Sequence, residues 1–138
     1  MKAISVILIY IAFASLASAT MVEQKPLKEL VLLSSNIWGG EVTAVRMTNA
    51  KGKDIKNLEA RTGPGLENTI YLDVTINKSL ILKTNKSDIP TIISIPLWQM
   101  WHYSLGQIRE IVGSKSIFLL TEDLKPAYPA NFQRSLDE

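Results

Sequence analysis

Residues Thr69 to Leu82 constrain the fold more than any other stretch of this chain. Ile70, Leu72, Val74 and Ile76 alternate with Thr69, Tyr71, Asp73, Thr75 and Asn77. That period of two, rich in β-branched residues, predicts a long half-buried strand. The phase is less regular across Leu80-Ile81-Leu82. A strand this long needs partners, so the rest of the chain is read for them.

Glu41 to Thr48 reads as a strand with imperfect alternation, preceded by Trp38-Gly39-Gly40. The two glycines predict a bulge or sharp bend at the strand start. Thr91 to Leu97 places Ile93, Ile95 and Leu97 on one face, and Pro90 and Pro96 confine it to a short or edge strand. Ser116 to Thr121 is a buried strand. Leu27 to Ser35 has helical spacing of apolar residues at 27, 30, 31 and 33, and Leu105 to Val112 fits two helical turns ending at Gly113. Residues 54–68 are the least regular part, with Arg61-Thr-Gly-Pro-Gly65 read as a loop. A short terminal helix is expected from about Asn131. The expected fold is mainly β (β-rich α+β): a small curled sheet or OB-like barrel with one or two short helices.

The N-terminus carries a different signal. Lys2 is followed by an apolar run from Ile4 to Phe13, then by Ala17-Ser18-Ala19. This is the pattern of a secretory signal peptide cleaved after Ala19. The apolar stretch is short for a membrane span. Residues 1–19 are therefore read as a cleaved signal, 20–26 as a mobile leader, 27–125 as a single β-rich domain and 126–138 as a Pro-containing C-terminal tail. The expected location is periplasmic or secreted, with no stable membrane span after cleavage.

Fifteen Lys and Arg stand against thirteen Asp and Glu in 138 residues, with one His and no Cys. So small a net charge gives no electrostatic footprint for nucleic acid. A Cys/His zinc site and a thiol nucleophile are excluded. No cofactor is expected.

A resemblance runs through the order of elements. A short helix precedes Val42-Thr-Ala-Val45, a long strand ends in Ser79-Leu-Ile-Leu-Lys83, Thr91-Ile-Ile-Ser-Ile95 follows, and Val112-Gly113 precedes Ile117-Phe-Leu-Leu120. This resembles exported OB-like barrels of the netrin/metalloproteinase-inhibitor type over about residues 27–121. The cysteines of the animal members are missing. The resemblance implies a barrel that binds partners rather than one that catalyses, and it transfers no site residue.

The densest candidate site is Trp98-Gln-Met-Trp101-His102-Tyr103, which holds two of the three Trp residues and the only His. On a strand, Trp98, Met100 and His102 would share a face; on a helix, Trp98, Trp101 and His102 would cluster. Large amphipathic rings make either a recognition surface or a packed plug. Pro126-Ala-Tyr128-Pro-Ala-Asn-Phe132 mixes prolines with two aromatics and reads as a segment docked on the domain or as an extended contact strip. The candidate binding residues are Trp98, Trp101, His102, Tyr103, Tyr128 and Phe132. His102 is the one side chain suited to general-base work, with Ser104 nearby in sequence, but no G-x-S-x-G elbow is present. Glu41, Asp73, Glu110, Glu122 and Asp123 form no distinguishable carboxylate pair, and Arg61-Thr-Gly-Pro-Gly65 lacks the Gly-Lys-Ser/Thr of a P-loop.

These features point first to an exported, non-enzymatic module that binds another exported protein, such as an inhibitor or immunity-type protein. The alternatives are a small periplasmic hydrolase using His102 and a structural subunit of an envelope assembly.

Overall fold

The computed structural model describes residues 25–136, so the expected signal and most of the leader lie outside the described residues. The described chain begins with helix α1 (Leu27–Leu33) and enters strand β1 (Asn36–Thr48). It continues through β2 (Asp54–Ile55), β3 (Thr69–Lys83), β4 (Ile92–Pro96), helix α2 (Leu105–Arg109), β5 (Lys115–Leu120) and β6 (Gln133–Ser135). The protein is mainly β: one antiparallel sheet in the order β4-β3-β1-β5-β6, with β2 added to β1.

Strand β1 is the hub. One of its edges pairs with β3 throughout. Its other edge is shared: β5 takes Asn36–Glu41, and β2 takes Met47 and Thr48. Between them the turn after α2 fills the gap. The Val42 N–H donates to Ser114 O at 3.0 Å, and the Gly113 N–H donates to Val42 O at 2.7 Å. Buried Asn36 anchors the start of the strand. Its Nδ2 donates to Thr121 O at 3.1 Å, and its Oδ1 accepts from Thr84 Oγ1 at 2.8 Å and Asn85 N at 3.1 Å.

The irregular alternation of β1 and β3 has a geometric cause. A register shift lies between Val42 and Ala44. The extra residue, Thr43, moves Val45 and Met47 onto the same buried face as Trp38 and Val42. Without it Ala44 and Arg46 would point into the core. A larger shift lies between the pairs Trp38↔Ile81 and Gly40↔Ile76, where β1 advances two residues and β3 five. Here β3 side chains cross the β1 backbone. A Cβ on Gly39 would lie 2.6 Å from Leu80 Cβ, and one on Gly40 would lie 2.6 Å from Val74 Cγ1 and 2.7 Å from Thr75 O. The strand therefore runs through Trp38-Gly39-Gly40 instead of starting after it, and the glycines permit the close approach.

The main core lies on the face that carries Trp38, Val42, Val45 and Met47 of β1, Ile70, Leu72 and Val74 of β3, Ile95 of β4 and Phe118 of β5. Leu105, at the start of α2, and Phe132 complete it. On the other face Leu30 of α1 packs on Ile37 and Leu119, with Tyr128 beside them. The polar outer residues of the central strands join up as well. Asp73 accepts from Arg46 Nε at 3.3 Å and from Ser94 Oγ at 2.6 Å, and the Arg46 guanidinium lies over the Tyr71 ring, 4.6 Å from its centroid.

Two expectations are corrected. The sheet does not close into an OB-like barrel, because its outer strands β4 and β6 do not pair. Five residues ending at Pro96 in β4 and three at β6 are too few strand positions for closure. In the segment between β5 and β6, Leu124 packs on the core. The terminal helix is absent among the described residues. Instead β6 pairs with β5, directed by Phe132, which is buried with its ring 6.4 Å from Phe118. Residues 54–68 are largely irregular, as expected of the least regular part, but begin with a two-residue strand, β2, that the sequence did not mark. The edge position expected for the Pro-flanked strand holds for β4. Among the described residues no helix is long and apolar enough to cross a membrane.

Candidate functional site

Pro96 ends β4, and the Leu97 N–H makes a last ladder bond to Ile70 O at 2.8 Å. The chain then turns tightly, with the Trp101 N–H donating to Trp98 O at 3.3 Å. The aromatic cluster is therefore neither strand nor helix. The turn sets the two indoles side by side, centroids 6.4 Å apart and planes tilted by 30°. Trp98 is 36% exposed, Trp101 42% and Met100 54%.

What fixes the turn is Thr62, which is 1% exposed. Its hydroxyl donates to Trp101 O at 2.6 Å and accepts from the Tyr103 N–H at 3.1 Å. Its own N–H donates to Tyr103 O at 2.8 Å. An isolated antiparallel bridge between Arg61 and Ser104 continues the pairing. Ser104 then caps α2, its hydroxyl accepting from the Gln107 N–H at 3.3 Å. At the other end of the turn Gln99 Nε2 donates to Thr69 Oγ1. The loop Arg61-Thr-Gly-Pro-Gly65 thus acts as a clamp on the aromatic segment. Gly63 takes φ +148°, and a Cβ there would lie 2.8 Å from His102 Nδ1, so the imidazole rests against this glycine.

The six sequence-derived residues divide into three places. Trp98, Trp101 and His102 share the exposed turn. Tyr103 follows them half-buried against the core, and loss of solvent raises its pKa above the usual phenol value. Tyr128 lies on the opposite face of the sheet with Leu30 and Ile37, and Lys25 Nζ sits 5.3 Å from its ring centroid. Phe132 is in the core. The Pro-rich segment still reaches the turn by other residues: Pro126 and Pro129 face Trp98 and Met100 across a cleft of about 340 Å³ that Lys125 also lines. Gln99 lies within the aromatic segment read from the sequence, whereas Thr62 and Lys125 were not legible as partners of the turn, because tertiary pairing alone brings Thr62 to Trp101.

Among the described residues no hydrogen bond joins His102 to a carboxylate or hydroxyl, and Ser104 is engaged as the cap of α2. Asp73 is held by Arg46 and Ser94. Among the described residues no group of three or more His, Asp or Glu is placed to hold a metal. The turn instead presents broad apolar rings on a backbone with few free torsions, which suits contact with another surface. Comparison of the chain with protein-family models, with curated proteins and with solved structures finds no match.

Proposed function

We propose that this protein is an exported, non-enzymatic binding module that grips another exported protein with its Trp98–Trp101 turn. One observation carries the reading: two indoles and a methionine thioether stand exposed together on a turn locked from beneath by buried Thr62. Trp is prominent among residues that anchor interfaces, and a rigid anchor loses little entropy on binding. The cleft beside Trp98, walled by Pro126 and Pro129, is suited to receive a side chain of the partner. Export rests on Lys2, the apolar run Ile4–Phe13 and Ala17-Ser18-Ala19.

The test is affinity capture from periplasmic extract with the protein and its Trp98→Ala/Trp101→Ala variant as parallel baits. The expected result is one abundant partner retained by the first and lost by the second, with circular dichroism and melting temperature of the variant preserved. Retention of the same partner by both baits, or of none by either, overturns the reading.

A further inference from the structure

An apolar concavity that shares no lining residue with the cleft at the aromatic turn lies on the face of the sheet that α1 only partly covers. It measures about 500 Å³ and is walled by Leu27 and Val31 of α1, Leu82 of β3 and Ile117 of β5. Leu82 is 62% exposed. Of the five apolar residues of α1, only Leu30 is buried. A volume of this size is within the range of small-molecule sites.

Two cations border the groove, Lys83 and Arg134. Among the described residues no carboxylate lies within ion-pair distance of either. Lys83 Nζ donates to Val31 O at 3.1 Å, which leaves two of its three donors. Arg134 Nε is buried without a hydrogen-bond partner. Two cations without a carboxylate partner at the rim of an apolar groove complement an anionic group.

We infer that the groove is a binding site for a single acyl chain with an anionic head, the chain lying along Leu27, Val31, Leu82 and Ile117 and the head on Arg134 and Lys83. The walls favour an acyl chain over an extended peptide. A peptide brings backbone N–H and C=O groups that must be satisfied. Apart from the two cations, the side chains that line this groove offer nothing to satisfy them. An acyl chain needs only apolar contact. This inference stands apart from the proposed role of the Trp98–Trp101 turn, and either can fail alone.

The test is calorimetric titration with decanoate, dodecanoate and dodecanol, below their aggregation limits, of protein expressed from the complete gene. Flotation with phosphatidylglycerol and phosphatidylcholine vesicles runs in parallel. The expected result is saturable one-to-one binding of dodecanoate, tightening about fourfold per added methylene. Dodecanol and the Arg134→Gln variant should each bind at least about tenfold more weakly. Leu82→Asn, an exposed position that should not disturb folding, should also weaken binding, and Trp98→Ala should not. Flotation with phosphatidylglycerol alone, lost in Arg134→Gln and Leu82→Asn, supports the same chemistry with a membrane lipid as its source. Equal binding of dodecanoate and dodecanol overturns the inference. So does the absence of binding in both arms, or a concentration-dependent dimer that Leu82→Asn disrupts and dodecanoate does not.

Discussion

Thr62 holds Trp101 from below. The threonine hydroxyl donates to the Trp101 carbonyl at 2.6 Å while accepting from the next-but-one backbone N–H, that of Tyr103. One buried side chain therefore satisfies two groups of a segment that has no regular secondary structure. Replacing it with the near-isosteric valine leaves these two groups only their bond to each other, Tyr103 N–H to Trp101 O at 3.2 Å. Thr62→Val is expected to cost about 0.5–1.5 kcal/mol, measured by urea denaturation, and to speed amide exchange at Tyr103. Thr62→Ser keeps the hydroxyl and should preserve that protection.

Tyr103 makes the protein sensitive to alkali. Burial raises its folded-state pKa above the ordinary value near 10. The unfolded chain then loses this proton first as pH climbs. Below pH about 10 both states are protonated and the contribution is constant; above it the unfolded state is favoured, and the loss continues until the folded pKa is passed. Denaturation midpoints should therefore fall above pH 10, and the Tyr103→Phe variant should show a shallower fall. Equal slopes for the two proteins would rule the effect out.

Phe132 lies late in the chain yet packs in the core against Phe118. Phe132→Ala should destabilise by about 3–5 kcal/mol. A contact strip flexibly attached to the domain would show almost no change. Thermal unfolding separates the two outcomes.

Gly40 lies where β3 approaches the β1 backbone closely. An added methyl group would meet Val74 Cγ1 at 2.6 Å and the Thr75 carbonyl at 2.7 Å. Because one of these is backbone, side-chain rotation cannot relieve the clash. Gly40→Ala should lower stability by about 1–3 kcal/mol and perturb the amide resonances of Val74 to Ile76. An unchanged melting temperature would show that the crossing is looser than these distances.

How much of this was legible beforehand follows from which forces act locally. The alternation from Ile70 to Ile76 reports a sheet with one buried face, and the strand lies there. Pro90 and Pro96 foretold an edge strand because a missing N–H is a local fact. The bulge at Thr43 left only a broken pattern, since register belongs to a pair of strands and not to one. Strand β6 had no signature in Gln-Arg-Ser. It forms because Phe132 anchors the preceding backbone and β5 has an open edge. The aromatic turn was visible as composition, but its clamp was not, because Thr62 meets Trp101 only after folding. The groove beside α1 left a trace in the apolar face of Leu27–Leu33, which reads from sequence as an ordinary buried stripe.

The divided edge of β1 has a kinetic consequence. Asn36 pairs with Leu120, and Met47 on the same strand pairs with Ile55. The first contact must close a loop spanning most of the domain; the second closes a short one. The β1–β2 ladder can form early with a small loss of chain entropy, while the β1–β5 ladder must await nearly the whole domain. Such long-range pairings slow folding to the order of milliseconds to seconds. During that interval the half of β1 that carries Ile37 and Trp38 lacks its β5 partner, so newly made chains are most exposed to mispairing at the strand that later becomes the centre of the sheet.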